Sequence, residues 1–84
     1  MPTFEIKVQE TRGYCSRNYK IEDSWSVDGF DTPDKFCGGA YTTVFPIIVA
    51  LISGAEFSFE KDPLCKTNMA CPDNGNVVFS VKKI

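Results

Sequence analysis

The sequence predicts an α+β domain: a small antiparallel sheet of about four strands, order ββαββ, packed on one central apolar helix. Three observations lead there. Segments at both ends of the chain alternate apolar and polar residues, the mark of half-buried strands. One nine-residue stretch, Val44 to Ile52, is apolar almost without interruption and reads as the body of a helix. The 84-residue length allows one domain, residues 1–84, with one modest core.

The elements follow in order. Thr3 to Glu10 alternates, with Phe4, Ile6 and Val8 inward, and is the first strand. Arg12 to Lys20, with Gly13, Ser16, Arg17 and Asn18, is a connection that carries Cys15. Ser24 to Gly29 alternates again, with Trp25 and Val27 inward and Asp28-Gly29 as a turn, giving the second strand. Asp31-Thr32-Pro33-Asp34 reads as entry to a helical turn, with Thr32 as N-cap and Pro33 at the first position. The pair Gly38-Gly39 weakens continuous helix, so a fresh helix starts near Gly38 to Tyr41. It runs to Ser53, bends at Pro46 and stops at Gly54. Glu56 to Glu60, with Phe57 and Phe59 inward, is the expected third strand. Lys61 to Asn76 is then a long connection containing Cys65, Cys71, Pro72 and the turn signal Asp73-Asn74-Gly75, where Asp73 closes an Asx-turn. Val77 to Lys83 is the fourth strand, with Lys82 and Lys83 as solubility charges on an edge.

The helix is apolar nearly all round, where a surface helix shows only a stripe. Either the domain wraps it or a second copy covers part of it, so a homo-oligomer or a subunit of a larger complex is expected.

Composition narrows the function classes. The net charge is −2 and the nine Lys and Arg are scattered, which argues against nucleic acid or an anionic membrane surface as partner. The longest apolar run is far short of the ~20 residues that span a bilayer. The N-terminal residues show no basic or apolar leader region, so a cytoplasmic location is the default expectation. There is no histidine. That removes Ser-His-Asp and Cys-His triads and imidazole metal ligands. The acids Glu56, Glu60, Asp62 and Asp73 read as solvated charges. Tyr14, Tyr19, Trp25 and Tyr41 either line a pocket or serve as core residues with a polar tip.

The chemistry-bearing residues are Cys15, Cys37, Cys65 and Cys71. None forms a C-x-x-C pair, so neither a thioredoxin motif nor a zinc ribbon is present. Three connecting segments hold them, which allows them to meet at one end of the sheet. Four roles stand open: small buried hydrophobes, a metal or iron–sulfur site of three or four thiolates, a redox or nucleophilic thiol, and structural disulfides. Cys37 precedes the helix, where the positive end of the macrodipole favours thiolate. Gly38 and Gly39 leave backbone N–H groups open for an anion, a cofactor-binding role. The plainer reading is that these glycines let the helix start close to a neighbouring strand.

Several pieces together resemble a family of small uncharacterised cysteine-containing proteins of anaerobic bacteria and archaea. They are Gly13-Tyr14-Cys15, the segment Tyr19 to Val27, and Phe36-Cys37 with Ala40-Tyr41 and Phe45-Pro46 entering a helix that ends at Gly54. Cys71-Pro72-Asp73 before the closing strand Val77 to Ile84 completes the set. The resemblance spans nearly the whole chain. It implies that Cys15, Cys37 and Cys71 are the positions of interest, with Cys65 an addition. The chain departs from the pattern after Cys15, where Ser16-Arg17-Asn18 replaces the more typical Pro and Gly.

Three functions compete on these grounds. The first is a cysteine-based metal or iron–sulfur accessory protein, holding zinc or a cluster through Cys15, Cys37, Cys71 and Cys65. The second is an oligomeric scaffold protein with inert cysteines. The third is a small thiol enzyme with Cys37 as nucleophile, for which no base is evident.

Overall fold

The computed structural model describes residues 2–15, 17–72 and 74–84. The Asx-turn expected at Asp73 and the part of the first connection at Ser16 lie outside the described residues.

Strand β1 (Thr3–Thr11) is followed by β2 (Ser24–Asp28), helix α1 (Gly38–Ile52), β3 (Cys65–Ala70) and β4 (Val77–Lys83). The strands form one antiparallel sheet in the order β2-β1-β4-β3. The fold is therefore α+β, with ββαββ order and one helix on a four-stranded sheet, as the sequence predicts.

Alternation decides which face is buried. Phe4, Ile6 and Val8 of β1 point one way, beside Val27 of β2 and Val77, Phe79 and Val81 of β4, and all are buried. Register brings them together: Phe4 lies opposite Val27, Ile6 opposite Trp25 and Val81, and Val8 opposite Phe79. Helix α1 lays Ala40, Val44, Ile48 and Leu51 on this face, spaced three to four residues apart as one helical stripe requires. The opposite face of β1 carries Glu5, Lys7 and Gln9. There Lys7 pairs with Glu22 at 2.8 Å, and Gln9 donates to Asn68 Oδ1 at 2.7 Å.

Helix α1 is continuous through Pro46. Pro46 and Thr42, whose carbonyl loses its helical partner there, are both exposed, so the proline falls on the side of the helix that water can reach. The stop is a Schellman motif. Gly54 donates to Leu51 and Ala55 to Ala50, with Gly54 at φ 93°, a conformation that favours glycine. The short helical turn expected from Thr32 is a turn closed by Phe36 N–H onto Pro33 O, and a fresh helix starts at Gly38, as the sequence predicts.

Three expectations are corrected. Glu56–Glu60 is not a strand. Phe57 packs against the core, while Phe59 is 73% exposed. Its alternation covers too few residues, and the segment follows directly on the helix stop. It forms turns that carry the chain to the sheet edge, with Glu60 N–H bonded to Phe57. The third strand is Cys65–Ala70, read from sequence as loop. It is an edge strand with only Met69 buried and with Asn68 at φ 60°, so it lacks the alternating apolar signal. Finally, Lys82 and Lys83 lie on β4, a central strand. Lys82 is exposed on the outer face, and Lys83, at the strand's end, is half-buried.

The helix is not wrapped on every side. Tyr41, Ile47 and Ile52 are half-buried against the core, while Thr42 and Pro46 face water and Phe45 and Val49 are half-buried. No described helix is long and apolar enough to cross a membrane.

Candidate functional site: a pocket lined by three thiols

The β1–β2 connection, the start of α1 and the β3–β4 turn meet at one end of the sheet, each bringing a cysteine. Cys15, Cys37 and Cys71 line one cavity of about 70 Å³, with Val77 and Phe79 as its floor and Tyr19, Ala40 and Pro72 around it. Among the described residues no charged side chain lines it.

Each cysteine is set by local hydrogen bonds. Arg12 donates its N–H to Asn76 O at 2.7 Å, and Asn76 Nδ2 donates to Tyr14 O at 2.9 Å. This pins the first connection to the start of β4. Gly13 sits close to this contact, since a Cβ there would stand 2.8 Å from Asn76 Oδ1 and the Asn76 side chain would have to shift. Asn18 N–H then closes a turn onto Cys15 O at 3.0 Å, with Asn18 at φ 55°. Cys15 and Tyr19 thus come from one short turn and reach the same cavity.

Cys37 is the N-cap of α1, and its side chain makes no cap hydrogen bond. Its carbonyl accepts from Tyr41 N–H at 2.9 Å, and its own N–H donates to Tyr19 Oη at 2.9 Å. Cys71 ends β3. Its N–H donates to Val77 O at 2.8 Å and its carbonyl accepts from Gly75 N–H at 3.0 Å, so the turn into β4 holds it in register.

Aromatic rings stiffen one wall. The Tyr19 ring stands 4.8 Å from Trp25, 5.9 Å from Phe36 and 6.2 Å from Phe79, centroid to centroid. Burial pushes the Tyr19 phenol above its ordinary 10.0. The Cys37 N–H opposes this rise, while the nearby Cys37 and Cys15 sulfurs add to it. Burial likewise raises Tyr41, helped by Asp31, whose carbonyl accepts the Tyr41 O–H at 2.7 Å. Tyr14 and Tyr19 line the cavity, whereas Trp25 and Tyr41 pack on the core.

Cys65 stands apart. It opens β3 opposite Lys82, at the far end of that strand from Cys71. It lines a different pocket with Glu60, Lys61, Asp62 and Thr67. Burial pushes its thiol up, and Asp62 and Glu60 push it further. Glu60 is held below the usual carboxylate range by the Thr67 N–H at 2.7 Å, aided by the Thr67 hydroxyl and by Lys66.

All four cysteines are half-buried rather than buried, and no disulfide joins them. Among the described residues, no group of three or more cysteines and acids stands at metal-holding spacing. Of the two expected cofactor-binding glycines, Gly39 lines the thiol cavity and Gly38 does not. Steric crowding does not explain either one. A Cβ on Gly38 meets nothing within 4 Å, and one on Gly39 meets only Cys37 Sγ at 3.9 Å. What they provide is a helix start without side chains beside Cys37. The role of Tyr19 as a pocket wall was legible in its aromatic type but not its link to Cys37, because 18 residues separate them.

Comparison with protein-family models, with curated proteins and with solved structures finds no match.

Proposed function

We propose that this protein is a small accessory protein that takes up one soft metal ion, zinc by preference, through Cys15, Cys37 and Cys71. The observation that carries the reading is the delivery of three thiols from three separate segments to one cavity. Thiolates without histidine suit soft metals, and a cavity of about 70 Å³ suits one ion better than an iron–sulfur cluster. Three thiolates leave one position of a tetrahedral ion open to water or a partner's ligand. This reading requires the three thiol side chains to turn toward one another on uptake, because they do not stand at metal-holding spacing in the structure. A reducing compartment such as the cytoplasm keeps the thiols in that form.

Titration of anaerobically prepared protein with Cd²⁺ tests this. One ion per chain is expected, with sulfur-to-metal charge-transfer absorption and release of protons from the thiols. Cys37→Ser weakens binding by more than about 100-fold, beyond the loss typical of an outer-shell partner. Cys65→Ser leaves it unchanged. Equal losses in both variants, or no stoichiometric uptake, rejects the reading.

A second copy of this chain is proposed to cover the outer face of α1. That face carries half-buried Phe45 and Val49 with exposed Pro46, and Phe30, 55% exposed, stands 6.2 Å from the Phe45 ring. The helix has no charged residue, so a symmetric pairing brings no like charges together. Sedimentation is expected to show a dimer at micromolar concentration, and Phe45→Glu a monomer. A wild-type monomer rejects the pairing.

A further inference from the structure

The two edges of the sheet are finished differently. At the β3 edge, Cys65 N–H donates to Asp62 O at 2.9 Å, and Thr67 N–H donates to the Glu60 carboxylate at 2.7 Å. The register also shifts between Lys66 and Met69, so this edge is both covered and bent. The β2 edge has no such cover. Val8 N–H donates to Asp23 O at 2.8 Å and Gly29 N–H to Pro2 O at 2.8 Å. Between them Ile6 lies opposite Trp25 and Phe4 opposite Val27, so alternation makes Trp25 and Val27 the residues bonded to β1. Ser24 and Ser26 therefore turn their N–H and C=O groups away from the sheet. Both residues are exposed, and no described residue bonds to those groups. The register with β1 runs unbroken from Asp28 to Ser24, and β2 holds neither proline nor lysine, the usual guards of an edge.

Charge indicates what such an edge receives. The stretch from Ile21 to Asp34 holds Glu22, Asp23, Asp28, Asp31 and Asp34 and no basic residue. Glu22 and Asp23 lead into β2, Asp28 ends it, and Asp31 N–H bonds back to Asp28 O at 3.0 Å. Lys7 offsets Glu22 at 2.8 Å. Asp23 and Asp28 are met only by neutral donors, the Lys20 N–H at 2.8 Å and the Thr3 hydroxyl at 2.7 Å, and they keep their charge. A second copy is disfavoured here. Antiparallel pairing of two β2 strands lays the acidic start of one beside the acidic end of the other.

We propose that the outer edge of β2 takes up an extended segment of a partner protein as a fifth strand, a segment in which apolar residues alternate with lysine or arginine. Backbone bonds to Ser24 and Ser26 supply the attachment, and alternate side chains supply the choice of partner. The apolar ones lie on the helix side, beside half-buried Trp25, and the basic ones on the outer side, which Asp28 shares with Ser24 and Ser26. The edge does not draw on the thiol cavity, so it stands or falls apart from metal uptake.

Trp25 is the only tryptophan in the chain and lies on β2, so its fluorescence reports on this edge. The probe is a short synthetic peptide alternating valine and lysine. Saturable binding is expected, weakening as salt rises, with a peptide alternating valine and glutamate at least about tenfold weaker. Ser26→Pro removes an N–H that points away from β1, so it costs no bond of the ladder and is expected to abolish binding. A valine–lysine peptide N-methylated at alternate residues tests the same backbone bonds without altering the protein, and it is expected not to bind. No saturable binding of the valine–lysine peptide overturns the proposal. So does unchanged binding of the N-methylated peptide, and so does equal binding of the lysine and glutamate peptides. Conversion of a wild-type oligomer to monomer by Ser26→Pro assigns the edge to a second copy and also overturns it.

Discussion

The two ends of the sheet treat the same residue type in opposite ways. At one end Cys15, Cys37 and Cys71 share an apolar cavity backed by aromatic rings. At the other, Cys65 sits among Glu60, Lys61 and Asp62, and burial with those acids holds its proton on. Topology makes the difference. The β1–β2 connection, the start of α1 and the β3–β4 turn all fall where Thr11 pairs with Val77. The β2–α1 connection leaves from the far end, where Asp28 pairs with Thr3, and returns along the sheet to deliver Cys37. Cys65 enters β3 opposite Lys82, at the end the helix runs toward. Cysteine count alone therefore says little about a thiol site, and the end of the sheet on which a connection closes says much more.

The largest predicted effect tests whether the thiol end depends on the core. Phe79 is fully buried, forms the cavity floor and stands 5.6 Å from Phe36. Phe79→Ala is expected to cost about 3–5 kcal/mol, from lost transfer energy and the hole left behind. A domain of this size has roughly 5 kcal/mol in total, so about 0–2 kcal/mol is left and denaturant unfolding is expected to show a midpoint shifted close to zero urea. At the other end, Phe59 is 73% exposed and Phe59→Ala is expected to change stability by less than about 0.5 kcal/mol. Similar losses in both variants remove the contrast.

How much of this contrast was legible in the sequence differs by element. β1, β2, β4 and α1 announce themselves, because each buries one face and burial imposes a period on residue type. β3 does not. An edge strand with one buried residue, Met69, carries no period, and the Phe57–Phe59 alternation nearby imitates a strand. The three thiols were legible as candidates, and their separation from Cys65 was implied only by family resemblance. Their meeting depends on contacts such as Asn76 with Tyr14 and Tyr19 with Cys37. Those contacts join residues 62 and 18 positions apart and leave no local pattern.

Two glycine-to-alanine changes sharpen the comparison within the thiol end, with opposite signs. At Gly13 a methyl group meets Asn76 Oδ1 at 2.8 Å, and Asn76 is held by its bond to Tyr14. Asn76 has to turn and give up that bond. After the gain from stiffening the unfolded chain, Gly13→Ala is expected to destabilise by about 1 kcal/mol. It also frees the Cys15 turn, so Cys15 is expected to lose its protection from bulky thiol reagents. At Gly38 the methyl meets nothing, and the residue lies in the first turn of α1. Gly38→Ala is expected to stabilise by about 0.5–1 kcal/mol. Urea midpoints moving in the same direction contradict this account of the two glycines.

The smallest effect separates the two ends by pH. Cys65 and Tyr19 are both acids whose folded-state pKa is raised. Each keeps its proton in the folded state at pH values where the unfolded chain has lost it. The contribution is fully present below the unfolded value and is lost as pH rises through the folded one. For Cys65 the loss begins near the ordinary thiol value of 9.0, and for Tyr19 near the ordinary phenol value of 10.0. Stability measured by urea unfolding is therefore expected to decline in two overlapping steps above pH 9. Cys65→Ser removes the lower step and leaves the upper. Tyr19→Phe removes part of the upper step, and Tyr41, raised by its own burial, supplies the rest. If Cys65→Ser leaves the decline between pH 9 and 10 unchanged, acid neighbours and burial do not set the Cys65 thiol apart, and the two ends are electrostatically alike.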